Sequence, residues 1–184
     1  MNDYPTCACC ASPFPTGHGM GRRGVLGLAA GLLGAATLGR GAQASDGSVY
    51  DSMLLTCIDP RFVTPAAKWM DGQHLGGKYS HFSFAGASIG VVAPSFASWA
   101  PAFWDNLATS IQLHGIKRVM VVNHRDCGAA KIAYGASAVG SPELETALHR
   151  KVFAEFAGQL AQRQPKMGIG GGLMALDGTL LSLS

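Results

Sequence analysis

Five residues on two short segments carry most of the chemistry in this chain. They are Cys57, Asp59 and Arg61 in Cys57-Ile58-Asp59-Pro60-Arg61, and His124 and Cys127 in His124-Arg125-Asp126-Cys127-Gly128. Two thiols and one imidazole form a borderline-soft donor set that suits zinc. Three protein ligands leave one coordination position open, which separates a catalytic zinc site from a closed structural one. The step from His124 to Cys127 can aim both side chains at one point across a strand-to-helix turn, and Gly128 lets the backbone turn close to the site. A Cys127 at a helix N-terminus is expected to have a lowered thiol pKa, favouring the thiolate that binds metal. Asp59 and Arg61 can form a carboxylate–guanidinium fork that keeps the aspartate ionised and ready to accept a hydrogen bond from a metal-bound water. Taken singly, each signal has a plainer meaning. An HxxC pair recurs by chance, an Asp-x-Arg pair is usually a surface ion pair, and two cysteines in an oxidising compartment are most simply a disulfide.

The elements that must position these residues are apolar runs. Met53-Leu54-Leu55 precedes Cys57, at the end of a strand expected over Ser48 to Thr56, and Val119-Met120-Val121-Val122 precedes His124 in a strand expected over Arg118 to Asn123. Both runs are continuous, as in buried parallel strands, so the polar residues fall at strand ends, where open α/β sheets bind ligands. If these two strands are neighbours, their ends lie about 5 Å apart and Cys57 converges on the His124/Cys127 turn. Thr64 to Gly72 is expected as a short helix, with Thr64 as cap and Pro65 in the first turn. Tyr79 to Phe84 alternates and is expected as a strand. Ala85-Gly86-Ala87-Ser88 breaks it. In Ala102 to His114, Phe103, Leu107, Ile111 and Leu113 lie near helical spacing, and Gly115 stops the helix. Ser141-Pro142-Glu143 opens a long helix running to about Arg163, before Pro165. Gly170 to Ala175 and Thr179 to Leu183 flank Asp177-Gly178, a hairpin turn signal. The expected fold class is therefore α/β: a mainly parallel central sheet of four to five strands flanked by helices, with an antiparallel edge strand. There is no internal repeat and no second domain.

The chain has 184 residues, 48% apolar and 14% charged, a globular composition. Its first 44 residues are set apart by their pattern. Arg22-Arg23 precede a Gly/Ala-rich run from Gly24 to Leu38, followed by Arg40 and Ala42-Gln43-Ala44. A basic region, an apolar region and a small-residue cleavage site in that order resemble a twin-arginine export signal, with cleavage expected after Ala44 and a periplasmic mature protein. The apolar run is shorter than the roughly 20 residues that span a bilayer. Cleavage would remove three arginines and one aspartate, leaving 11 basic and 10 acidic residues and a net charge of +1 in place of +3. No basic patch remains for nucleic acid or an anionic membrane, and no stable membrane span is expected after processing. Cys7, Cys9 and Cys10 would leave with the signal. Only Cys57 and Cys127 remain, in residues 45–184, the expected zinc domain.

Cys57-x-Asp59-x-Arg61, followed some 65 residues later by His124-x-x-Cys127-Gly128, resembles the signature of the β-class carbonic anhydrases, in the form found in smaller bacterial members. Phe84-Ala85-Gly86-Ala87 falls where that family carries an Arg-Asn-Ala-Gly-Asn-like loop. The helix ending at Leu113-His114-Gly115, the strand after it and the Asp177-Gly178 hairpin also sit in family order, so the resemblance spans roughly Ser48 to Ser184. It implies one Zn2+ per chain held by Cys57, His124 and Cys127, with an Asp59–Arg61 dyad orienting the zinc-bound solvent. It implies a carbonate dehydratase: a zinc-bound hydroxide attacks CO2 in an apolar pocket, near the turns at Gly86 and Gly128, and bicarbonate leaves. In a closed, inactive form Asp59 takes the fourth zinc position. His74 and His81 are candidates for relaying the proton. A homodimer or higher homo-oligomer is implied. The sequence departs from the family pattern at Ser83 and Phe84, where arginine and asparagine are usual. Pro60 holds Asp59 in extended backbone. The mature chain is expected to leave little for an N-terminal helical arm. Two alternatives stay open: a CS2 or COS hydrolase of the same family, and a non-catalytic zinc-binding or disulfide-stabilised protein of the same fold.

Overall fold

In a computed structural model of the chain, which describes residues 50–183, five strands form one sheet in the order β2-β1-β3-β4-β5. The strands are β1 (Ser52–Thr56), β2 (Tyr79–Ser83), β3 (Arg118–His124), β4 (Gly168–Met174) and β5 (Leu180–Ser182). The first four are mutually parallel, and β5 runs antiparallel to β4 at the edge. The α/β class, the mainly parallel sheet and the antiparallel edge are those expected from the sequence. The expected signal segment, its cleavage site and Cys7, Cys9 and Cys10 lie outside the described residues.

The helices are α1 (Val63–Gly72), α2 (Ser88–Val92), α3 (Ala100–His114), α4 (Gly128–Tyr134) and α5 (Pro142–Arg163). Alternate residues of each central strand face opposite cores. Met53, Leu55, Val119 and Val121 join α2, α3 and α5 through Ile89, Phe103, Leu107, Val152 and Phe156. Leu54, Met120 and Val122 pack against Phe62, Ala66 and Met70 around α1. Burial on both faces is why β1 and β3 are continuous apolar runs. Among the described residues, no helix is long and apolar enough to cross a membrane.

Several local expectations are corrected. Thr64 does not cap α1. The chain enters that helix through a 3-10 turn at Pro60–Phe62, whose cap is Asp59, accepting from the Arg61 N–H. Leu113 is 44% exposed, and the inward positions of α3 are Phe103, Leu107 and Ser110. After Ala85–Ala87 the chain forms the single buried turn α2 and a 3-10 segment at Pro94–Trp99. Both are too short to show a period. By contrast, Ser141 caps α5 by accepting from the Leu144 N–H at 3.3 Å. The hairpin also forms as expected, Asp177 accepting from the Thr179 N–H.

The glycines of β4 answer to packing. At Gly171 (φ +118) a Cβ would overlap the Val121 carbonyl, and at Gly172 it would overlap the Leu181 carbonyl. β4 therefore lies close against β3 and β5, buttressing the strand that ends in His124.

Candidate metal centre

The parallel pairing of β1 with β3 sets Thr56 opposite Val122. Cys57, the next residue, therefore emerges beside the end of β3, whose last residue is His124. Cys127 is the cap residue of α4. One ligand atom from each of Cys57, His124 and Cys127 lies within 4.8 Å of the other two. Their exposures are 7%, 1% and 1%. Among the described residues no other group of His, Cys, Asp and Glu side chains is so placed.

The residues fit a metal by their hydrogen bonding. His124 Nδ1 lies 2.8 Å from the Arg125 carbonyl. A carbonyl only accepts, so Nδ1 carries the proton, and a neutral ring then has its lone pair on Nε2. That Nε2 is buried without a hydrogen-bond partner. The ring is held by stacking on Phe62, with centroids 4.2 Å apart. Both thiols are free, not joined in a disulfide. An orphaned imidazole nitrogen facing two free sulfurs is a donor set without an acceptor, and a soft cation supplies one.

The thiols do not titrate as the dipole argument expects. The Cys57 thiol is lowered to about 4, first by a hydrogen bond from Cys127, then by His124 and by the Gly86 N–H, which donates to its sulfur at 3.2 Å. Cys127 is pushed up, chiefly because it holds its proton toward Cys57, and also by burial. The α4 amides of Ala129 and Ala130 pull the other way but do not win. The two sulfurs share one proton, and the Gly86 N–H on Cys57 favours the charge there. A cation must displace that proton, so its binding releases acid.

Asp59 and Arg61 form the expected fork. Arg61 Nε donates to both carboxylate oxygens, at 3.0 and 3.2 Å, and Nη2 donates to Oδ2 at 2.7 Å. The guanidinium holds the Asp59 carboxyl at about 2. Asp59 is extended (φ −61, ψ 118), as a residue before proline must be. Its Oδ2 is 4.0 Å from His124 Nε2, so the carboxylate flanks the ligand cluster. Arg61 also donates to Asp126 Oδ2 at 3.0 Å, a partner not anticipated from sequence.

A cavity of about 400 Å³ opens beside the cluster at Cys57, lined also by Asp59, Ala85, Phe96, Trp99 and Ile132 among others. Gly128 is part of its wall. Gly86 lies behind Cys57 as a donor to the sulfur, and Ala85 faces the cavity instead. The departures at Ser83 and Phe84 find structural uses. Ser83 Oγ donates to the Cys57 carbonyl at 3.1 Å. Phe84 packs among Phe82, Trp99 and Phe103. Of the two relay candidates, His81 is engaged with Thr56 Oγ1 at 2.7 Å, and neither His81 nor His74 lines this cavity.

Sequence reasoning missed two acids beside the turn. Asp126 has a left-handed backbone (φ +56). Glu145 is buried and accepts from the Asp126 N–H at 2.6 Å. Asp126 lay in view inside the His124-to-Gly128 string; nothing in the sequence linked Glu145 to it.

Residues 50–140 match the family described as "Putative carbonic anhydrase". Two relatives are uncharacterized proteins. One, from Rickettsia conorii, is 28% identical over 129 residues, covering 70% of this chain and 69% of its own length. The other, from Rickettsia bellii, is 26% identical over 129 residues, covering 70% and 79%. A solved structure similar to this one is a β-carbonic anhydrase of Aspergillus fumigatus, with 12% identity, 74% of this chain and 76% of that chain covered, and a TM-score of 0.48. The family match over residues 50–140 spans β1 to the end of the turn after α4 and so takes in Cys57, Asp59, Arg61, His124 and Cys127.

Proposed function

We propose that the protein is a zinc-dependent carbonate dehydratase, interconverting CO2 and bicarbonate. The observation that carries this reading is the convergence of three buried ligand atoms, one of them the orphaned His124 Nε2, beside an apolar cavity that Cys57 and the ionised Asp59 line. Cys57, His124 and Cys127 would hold the ion. When bound, zinc supplies a Lewis acid that brings the pKa of a water near 7. Asp59, ionised at the edge of the site, would accept a hydrogen bond from solvent held there and orient it. Arg61 keeps Asp59 ionised and in one rotamer. Phe96, Trp99 and Ile132 give the cavity apolar walls that would admit a small apolar substrate. The same lining favours COS or CS2 as a second substrate class, since neither asks for a polar contact from the walls. Asp59 Oδ2, 4.0 Å from His124 Nε2, is also near enough that a swing of the carboxylate toward the cluster would let it serve as a further ligand.

Metal analysis with thiol titration of the purified protein tests the centre: one zinc per chain is expected, and no zinc with no free thiols would sink the reading. Stopped-flow CO2 hydration by wild type and Asp59→Ala tests the mechanism. Equal rates would remove Asp59 from it, and the same assay with COS separates the two substrate classes. We propose further that residues 1–44 are a twin-arginine signal and that residues 45–184 act in the periplasm, supported by the Arg22-Arg23 pattern. A site needing zinc and free thiols is best assembled before export. A homo-oligomer is proposed on the exposure of Ile58, Trp99 and Ile132 around the cavity. Cell fractionation and sedimentation check these two points.

A further inference from the structure

We infer that Glu145 is a positioning residue for the metal-binding turn and, through Asp126, for the Arg61 that holds Asp59. The inference rests on the metal reading above. Glu145 stands in the first turn of α5 and is 7% exposed. A buried carboxylate is costly unless its oxygens are paired. Both are: Oε1 accepts from the Asp126 N–H at 2.6 Å, and Oε2 accepts from Arg125 Nη1 at 3.1 Å. Arg125 is secured in turn by the Pro142 carbonyl at 3.1 Å and Thr146 Oγ1 at 2.9 Å. Both residues lying between His124 and Cys127 are thus tied to the start of α5.

The tie has work to do. Left-handed backbone is less favourable for a residue with a Cβ than for glycine, and Asp126 is such a residue, at φ +56. The turn it makes carries the chain from the end of β3 back into α4, which sets the Cys127 sulfur against His124 Nε2. Glu145 holds the one backbone donor of that residue. On its other side Asp126 accepts from Arg61, through Oδ2 at 3.0 Å and through its carbonyl at 3.3 Å, while its Oδ1 accepts from Lys131 at 2.6 Å. The far edge of Arg61 grips Asp59. From Glu145 to Asp59 the links are therefore continuous, and each is a charge-assisted hydrogen bond.

The test uses the full chain with Glu145→Ala and Glu145→Gln. Zinc affinity is read by competition with a chromophoric chelator, ligand geometry by the absorption spectrum of the Co2+-loaded protein, and folding by far-UV circular dichroism. Glu145→Ala is expected to weaken zinc binding by about ten- to a hundredfold, the range found when a partner of a metal ligand is removed, and to shift the Co2+ spectrum. Glu145→Gln keeps an oxygen for the Asp126 N–H and should recover most of the affinity. Wild-type affinity and spectrum in Glu145→Ala would overturn the inference while leaving the metal centre standing. A folded Glu145→Gln as weak as Glu145→Ala would overturn the assigned contact. If Glu145→Ala does not fold, Glu145→Asp decides: its shorter side chain cannot hold the Asp126 N–H and Arg125 together as Glu145 does, so a several-fold loss with a shifted spectrum supports the role, and wild-type values refute it. A wild-type protein that binds no zinc would overturn the proposed function and this inference together.

Discussion

The ligand cluster and the Asp59–Arg61 pair lie side by side but are built in opposite ways. Cys57, His124 and Cys127 are buried and brought together by pairing between strands far apart in sequence. Asp59 and Arg61 stand two residues apart, and the Arg61 side chain is 46% exposed. The first group is held by a sheet with a core on both faces, so none of its members can shift without moving a strand or a helix end. The second is held by hydrogen bonds that solvent can replace, and Arg61 has two acidic partners. A rigid ligand set beside an adjustable carboxylate suits a site that must grip a metal and also let its solvent position open and close.

Four measurements can break or sharpen that contrast. The largest effect is expected at the buried cluster. Cys57→Ser should lower zinc affinity by more than about a hundredfold, beyond what outer partners cost, as read by metal content after dialysis against chelator. Stoichiometric zinc in that variant would dissolve the contrast.

The next concerns His149 of α5, fully buried, with neither ring nitrogen hydrogen-bonded. Burial, aided by the nearby charge of Arg125, lowers it to about 4. The unfolded chain, near 6.5, takes up the proton first as pH falls. The stability is therefore complete above about pH 6.5 and is lost progressively toward pH 4, by about 3 kcal/mol. His149→Leu should flatten that limb in urea unfolding at pH 7 and pH 4. An unchanged slope would mean that other groups govern acid stability.

At the exposed pair, Arg61→Ala should leave zinc affinity within a few-fold and slow CO2 hydration by about a hundredfold, the lower end for a positioned proton-handling group. Loss of metal instead would show that the pair is part of the cluster's scaffold. The smallest effect is expected at the cap of α5, which touches neither group. Ser141→Ala removes the cap of α5 and should cost about 1 kcal/mol of stability, with the Co2+ spectrum unchanged. A shifted spectrum would mean that the start of α5 governs the ligands even through its cap.

Much of the site was legible because its chemistry is written in residue types. Two cysteines and a histidine after apolar runs can serve few purposes together, and an Asp-x-Arg step is short enough for the fork to form locally. Caps and turns were legible for the same reason, as at Ser141 and Asp177, where a side chain bonds its own backbone. Position-specific burial was harder. Leu113 faces solvent because, ten residues after Phe103, it lies about 80° off the Phe103–Leu107–Ser110 face at 3.6 residues per turn. The segment from Ser88 to Trp99 escaped because a single helical turn and a 3-10 piece have no period.

By itself, then, the sequence determined the alternation of strands and helices, the ligand types and the local Asp59–Arg61 fork, since these depend on patterning, on donor chemistry and on a two-residue reach. Only the tertiary structure decided that β1 lies beside β3, and thus that Cys57 meets His124 and Cys127. It also decided which thiol carries the charge, that the cavity beside Cys57 is apolar, and that Glu145 from a later helix binds the Asp126 amide. Those outcomes depend on burial and on contacts between segments remote in the chain, where desolvation and register, not residue identity, set the energy.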